Sequence, residues 1–308
     1  MYRSFEVSVP PAATDEVLAS LERLDAVVSL SVERGASIKP PGDAITVHSL
    51  NSGAGDVLRI VEEAHAHGQV SVATADLASL IDREHADAIV KDTDEALWEE
   101  TEAGVRHQGR PTHNYLLLMA AGGAIAATGF LSTPPTQTIA FVSASVIAPG
   151  FEPLAKVPLG LALGRWRTVL RGLRSALFGY LLIVAAAALA YLLLEATGAT
   201  TLKNFLGNKE VDKLSNPISL DLLVSGAAAV AGVVMVATRR FALLAGPLMA
   251  LALIPSAAMA GVAAVAGEGK LVFQGLERLG IDIALIFLFG LLVTGLKQAL
   301  VHRRRPLR

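Results

Sequence analysis

Glu152 and Lys156 are the only charged side chains between residues 137 and 163. They stand four residues apart, a spacing that brings two side chains together on one helix face. Pro149, Pro153 and Pro158 crowd the same stretch. A charge at mid-membrane depth costs about 2.5–3.5 kcal/mol on insertion scales, so such groups face a cavity, pair up or mark a solute path. Proline removes a backbone donor and clashes with the preceding turn, so a helix here should break. The chemistry this suggests is solute binding at a broken helix. Glu152 and Lys156 would supply charge, Pro149 and Pro153 would open the backbone, and Ser145 would add a hydroxyl. A second proline-bearing segment, LALIPSAAMAG, offers Pro255 and Ser256 in the same roles. These seven residues form the candidate substrate-binding set. The plainer reading is that the prolines only kink and the small residues only pack.

Other chemistry finds little support. His65 and His67 stand near Glu62 and Glu63, but the spacing fits no usual zinc motif. There is no cysteine, and no GxGxxG, P-loop, GxSxG or HExxH pattern. The expectation is a chain that is not an enzyme and has no metal, cofactor or nucleic-acid partner.

The elements that must hold the candidate residues show in the charge distribution. The 308 residues carry a net charge of −2 and are 53% hydrophobic. Residues 1–110 hold 20 acidic and 9 basic side chains, a balance of −11. Residues 111–308 hold 8 and 17, a balance of +9. Such a split places the two regions in different surroundings. Tyr115 to Gly150 is 36 residues without a formal charge, Ser175–Leu194 is 20 and Phe241–Gly267 is 27. About 20 apolar residues suffice to cross a bilayer as a helix. Residues 111–308 therefore read as an α-helical polytopic membrane domain, with the lipid bilayer as its main partner. Six spans are expected, at about 115–132, 137–163, 175–197, 219–238, 241–266 and 280–299.

The N-terminal MYRSFEVSVPPAATDEV shows no apolar stretch after its one arginine, so residues 1–110 are expected on the cytosolic side. Arg165, Arg167, Arg171 and Arg174 then fall in a cytosolic loop after the second span. Arg239 and Arg240 follow the fourth, and Arg303, Arg304, Arg305 and Arg308 form the tail. The positive-inside rule thus puts both termini in the cytosol and the protein in the cytoplasmic membrane. Lys270 and Arg278 are assigned to an outer loop.

The halves of the membrane domain resemble each other. At a spacing of 103 residues Gly164 matches Gly267, Gly172 matches Gly275 and Leu173 matches Leu276. Each half has three spans with the proline-broken one in the middle, the second at Pro247 and Pro255. An odd number of spans inverts the second repeat, and paired broken helices in inverted repeats point to a transporter site near the midplane.

Residues 1–77 read as a separate domain. Strands are expected at 3–9, 26–33, 44–49 and 69–73 and helices at 13–24 and 54–67, with GASIKPPGD as a loop. This βαββαβ order is the ferredoxin-like α+β arrangement. Residues 78–110 read as an acidic helical linker, with Leu80, Ile81, Ile89, Val90, Leu97 and Trp98 as its apolar positions. Sheet edges that can pair between subunits suggest a homo-oligomer.

The stretch GFLSTPPTQTIAFVSASVIAPGFEPLAKVPLGLALG resembles the core of an uncharacterised hydrophobic membrane-protein family, domain of unknown function 389 (DUF389). The matching positions are Gly129, Ile147, Ala148, Pro149 and Pro153, then Pro255 and Gly261 in the second segment. The family pattern has two adjacent prolines in that segment, where this chain has Pro255–Ser256. The resemblance implies a membrane fold and no established chemistry. The leading expectation is a transporter-like protein regulated by a small ligand on its cytosolic domain. The alternative is a non-transporting receptor for a metabolite or nucleotide, which would have a tightly packed interior between Glu152, Ser145 and Ser256.

Overall fold

The computed structural model describes residues 2–93, 97–108, 110–238 and 251–302. The chain divides into two compact units between residues 99 and 100.

The first unit runs β1 (Tyr2–Val9), α1 (Pro11–Glu22), β2 (Val27–Ile38), β3 (Pro41–Leu50), α2 (Ala54–Glu63), β4 (Ser71–Leu77) and α3 (Ala86–Val90). The four strands form one antiparallel sheet in the order β2-β3-β1-β4. Side chains alternate along a strand, so Phe5, Val7 and Val9 of β1 and Ile45 and Val47 of β3 point to one buried face. Val17 and Leu21 of α1 and Val57, Leu58 and Val61 of α2 join them in one apolar core. Pro11 opens α1, where its missing N–H costs nothing. Arg3 shares the buried face of β1 and is fully enclosed. Its Nε donates to Asn51 Oδ1 at 3.0 Å and its guanidinium pairs with Asp76.

Two expectations for this region are corrected. GASIKPPGD is mostly strand, because β2 and β3 extend as a hairpin out to Ile38 and Pro41. A register shift between Glu33 and Ser37 absorbs the extra residues. The linker is not one helix either. Residues 78–85 are irregular, α3 has five residues, and the next helix among the described residues is α4 (Trp98–Gln108). Ile81, read as an apolar helix position, is 91% exposed, so among the described residues no packed face supports a helix at 78–85, and Val90, the last residue of α3, is 84% exposed. Trp98 is buried.

The second unit is helical. Beyond α4 come α5 (His113–Phe130), α6 (Thr136–Ile147), α7 (Phe151–Ala162) and α8 (Trp166–Ala196). The short α9 (Leu202–Leu206) and α10 (Lys209–Ser215) lead to α11 (Ser219–Ala237), α12 (Leu253–Val265) and α13 (Gly269–Lys297). Among the described residues, three helices are long and apolar enough to cross a membrane: α8, α11 and α13, the last extended to Leu300. They become four if α6 and α7, bent by 46° at their break, are one span. The first part of the expected fifth span, with Pro247, lies outside the described residues, as do Arg239, Arg240 and the arginines of the tail.

The surface of these helices inverts the pattern of a water-soluble bundle. On α8, Leu170, Leu177, Leu181, Leu189 and Leu193 are exposed, whereas Gly172, Ser175, Ala176, Gly179 and Ala187 are buried. An apolar patch of that extent is not left against water. Small residues in the seam let backbones approach where lipid, not water, is the solvent. The protein is membrane-like and mostly helical, with a small antiparallel sheet at its N-terminal end.

Two sequence boundaries move. α8 begins at Trp166 and α13 at Gly269, both about ten residues before the expected spans. Arg167, Arg171 and Arg174 thus lie on the first turns of α8 rather than in a loop. Arg278, assigned to an outer loop, is inside α13 and 4% exposed. Long basic side chains can carry their charge away from an apolar helix surface, so a charge count ends a span too early.

Candidate functional site

The break between α6 and α7 starts the site. Ala148 turns to an extended conformation ahead of Pro149, as the residue before proline must. α7 then restarts after Gly150, so its N-terminus lies inside the bundle. The Tyr180 hydroxyl, near the midpoint of α8, donates to the Gly150 carbonyl at 3.2 Å. A Cβ on Gly150 would lie 2.8 Å from that hydroxyl oxygen and 3.1 Å from Cδ1 of Ile254. Ile254 is in the first turn of α12, so the N-termini of α7 and α12 meet beside Tyr180.

A second set of polar groups gathers at the start of α12. Asp282, near the midpoint of α13, accepts from the backbone N–H of Ala252, the N-cap of α12, at 3.0 Å. A carboxylate there satisfies an orphan donor and faces the positive end of the helix dipole. Arg278 lies 3.2 Å from Asp282 and donates to Ser225 Oγ of α11 at 2.7 Å. Both charged side chains are enclosed, at 5% and 0% exposure. Nε and Nη1 of Arg278 have no hydrogen-bond partner among the described residues, nor do Glu152 Oε2 and Ser256 Oγ.

The packing around the two broken regions repeats at the spacing seen in the sequence. Without its Cβ, Gly172 of α8 lies against the Pro153 carbonyl, Lys156 Cβ and Val157 of α7. Gly275 of α13 lies against the Ser256 carbonyl, Met259 and the Ala260 nitrogen of α12. Each contact of the first set is matched 103 residues later. The helix ends match too. Gly164 and Gly267 take φ of 68° and 78°, the left-handed values glycine allows at a helix end. Arg165 N–H then reaches the Gly160 carbonyl at 2.7 Å, and Glu268 N–H the Ala263 carbonyl at 2.9 Å. α7 packs on α8 and α13, and α12 packs on α13 and α8.

Two clefts approach this centre. One, of about 600 Å³, is lined by Arg110, Lys156, Arg171, Arg174, Ser175 and Phe178. It lies at the N-terminal end of α8. The other, of about 450 Å³, is lined among others by Glu210, Lys213, Asp221, Ala252, Pro255 and Arg278. It lies by α10, which follows the far end of α8. In the first unit a cleft between α1 and α2, flanked by Glu63 and His67, holds about 30 Å³, room for a water molecule.

The seven candidate residues are distributed as follows. Pro149 is in the break, Glu152 and Pro153 are in the first turn of α7, and Lys156 is one turn on. Ser145 is on α6, and Pro255 and Ser256 open α12. Glu152, Lys156, Ser145 and Ser256 are all buried. Lys156 and Pro255 line clefts; Glu152, Ser145 and Ser256 line neither. Sequence reasoning missed Tyr180, Ser225, Arg278 and Asp282. The i,i+4 spacing of Arg278 and Asp282, the same as that of Glu152 and Lys156, was the available signal.

Comparison with known proteins agrees with the resemblance read from the residues. No curated protein and no solved structure matches the chain. Residues 145–288, from Ser145 on α6 to Leu288 on α13, match the family described as "Domain of unknown function (DUF389)". The matched segment includes the break between α6 and α7, all of α8, α11 and α12, and α13 as far as Leu288.

Proposed function

We propose that the chain is a transporter-like integral membrane protein. In this reading α5, the α6–α7 pair and α8 form one three-span repeat. α11, the span expected at about 241–266 and α13 form a second, inverted one, for six spans in all with both termini in the cytosol. The observation that carries it is the meeting of two half-helix N-termini at the mid-length of two long helices. There they adjoin the Arg278–Asp282 pair and lie between clefts at opposite ends of the bundle. Discontinuous helices with such termini form substrate sites in transporters built from inverted repeats. The 103-residue correspondence of contacts supports the repeat. The strand order β2-β3-β1-β4 with βαββαβ connectivity supports a ferredoxin-like N-terminal domain. A regulatory ligand of that domain would lie on its open sheet face, because its cleft is water-sized.

A receptor that does not transport draws support from Glu152, Ser145 and Ser256, which are buried and line neither cleft. Two measurements separate the readings. The chain has no native cysteine, so Arg167→Cys and Lys213→Cys can be probed singly with an impermeant maleimide in oriented vesicles. Labelling from opposite faces is expected; labelling from the same face refutes the inverted arrangement. Proteoliposomes are then screened for solute and ion flux, and silence across an extensive panel would favour the receptor.

A further inference from the structure

The cleft at the N-terminal end of α8 has a charge that the transport reading does not require. Among the described residues, four cations, Arg110, Lys156, Arg171 and Arg174, line about 600 Å³ together with Ser175, and no carboxylate is among these lining residues. Arg171, Arg174, Ser175 and Phe178 recur at i, i+3, i+4 and i+7, so they share one face of α8. Lys156 comes from a different helix and is 3% exposed. Membrane topology explains why arginines gather at one end of α8. It does not explain a buried lysine on α7 turned to the same void. Arg165, on the neighbouring turn, pairs with Glu102 of α4. Among the described residues no carboxylate pairs with Arg171 or Arg174. The guanidinium groups of Arg171 and Arg174, placed round one void, repel each other, and an anion in it turns that repulsion into attraction. The other cleft differs, since Glu210 and Asp221 balance its Lys213 and Arg278. The volume lies within the roughly 300–1,000 Å³ of small-molecule sites.

We propose that this cleft binds an oxyanion of the phosphate type, either a free or esterified phosphate in solution or the phosphate of a lipid headgroup. Guanidinium groups match such an oxyanion with forked N–H donors, and Lys156 adds a point charge beside them. Binding stands on the cleft itself. Only the further step, that the bound anion is the transported solute, rests on the reading above.

The test uses the full chain in nanodiscs of phosphatidylcholine alone, with radiolabelled inorganic phosphate at low salt as the probe. Saturable binding that sulfate competes away and choline does not is expected. Arg171→Gln and Arg174→Gln should each weaken it about ten- to a hundredfold, the effect of losing charge-assisted hydrogen bonds. Arg167→Gln, on the same helix but not lining the cleft, should leave binding unchanged. Native mass spectrometry identifies the source. An anionic lipid retained by the wild type and lost in both variants, with phosphate binding only after its removal, assigns the site to a headgroup. Absence of both phosphate binding and arginine-dependent lipid retention overturns the proposal, as does an equal loss in Arg167→Gln. Phosphate binding without flux would sink the transport reading and leave the site standing. Cation flux without phosphate binding would do the reverse.

Discussion

The buried pair Arg278–Asp282 permits a quantitative test of how the centre is held together. At 3.2 Å and an effective dielectric of about 20, Coulomb's law gives an attraction of about 5 kcal/mol. Desolvation of two enclosed charges offsets much of it, so the net value of the pair is small. The cost of breaking it is not, at about 3–5 kcal/mol, because the survivor stays buried without its partner. Asp282→Leu should lie at the upper end of that range. It strands a guanidinium that cannot be neutralised and also takes the acceptor from Ala252 N–H. Arg278→Met should lie at the lower end, since a carboxyl can be neutralised by protonation. The double variant Arg278→Met with Asp282→Leu replaces both charges by apolar groups. It still orphans Ala252 N–H, a loss of about 1–3 kcal/mol. It should therefore unfold within about 3 kcal/mol of the wild type, far less than the sum of the singles. The assay is SDS-induced unfolding in mixed micelles, followed by far-UV circular dichroism. A double variant equal to the sum of the two singles within about 0.5 kcal/mol would refute the reasoning.

The repeated contacts make a second prediction. A Cβ at Gly172 would stand 2.7 Å from the Pro153 carbonyl oxygen, and at Gly275 2.9 Å from that of Ser256. Gly172→Ala and Gly275→Ala should each cost about 1–3 kcal/mol by overpacking. Gly280→Ala, with nothing within 4 Å, should be neutral or stabilising by up to about 1 kcal/mol in the same unfolding assay. A third prediction concerns pH. The Thr14 hydroxyl, Gly35 N–H and Arg34 all donate to Asp43, holding its carboxyl below the usual range, with the Thr14 bond the main cause. Asp43 therefore stabilises the fold at pH values above its unfolded pKa of about 3.9, and that contribution is lost as pH falls through its lower folded value. Hydrogen-exchange protection of the β2–β3 hairpin should fall over that acid range, and less steeply in Thr14→Val. Identical pH profiles for the two proteins would contradict this origin.

What was legible in the sequence follows from what each signal measures. Blocks without charge located the apolar helices, because a bilayer tolerates few charges in a span. Their ends were misplaced for the same reason. Arg171 and Arg278 are compatible with helix, the first by reaching a cleft and the second by pairing with Asp282. Charge counting sees neither. The prolines marked the α6–α7 break correctly, since Pro149 sets its neighbour's backbone without help from tertiary structure. Tyr180 and Ser225 were invisible because their roles depend on which helix lies opposite. On an apolar helix a tyrosine or serine has no distinguishing spacing. The long β2–β3 hairpin was hidden by GASIKPPGD, whose composition is that of a turn although most of it pairs.

The 103-residue correspondence also indicates where the two halves must differ. Where backbones touch, the chain keeps it: Gly164 and Gly267 end their helices alike, and Gly172 and Gly275 admit neighbours at corresponding positions. Where side chains face a cleft or a helix terminus, the chain abandons it. Ser175 corresponds to Arg278, Gly179 to Asp282 and Lys156 to Met259. Packing constraints act equally on both halves of a proposed inverted repeat, so they preserve similarity. A directional path imposes no such equality, because its two ends face different solutions. Among the charged residues placed on one side of the correspondence only are Glu152, Lys156 and Arg171 in the first half and Arg278 with Asp282 in the second, and packing alone does not explain their presence. Exchanging Lys156 for the methionine of its counterpart should leave the contact with Gly172 intact, because that contact is made by Cβ. The same exchange removes one of the four cations of the cleft. A Lys156→Met variant that folds like the wild type yet has lost phosphate binding is the expected result, and one that binds unchanged would assign the lysine to packing.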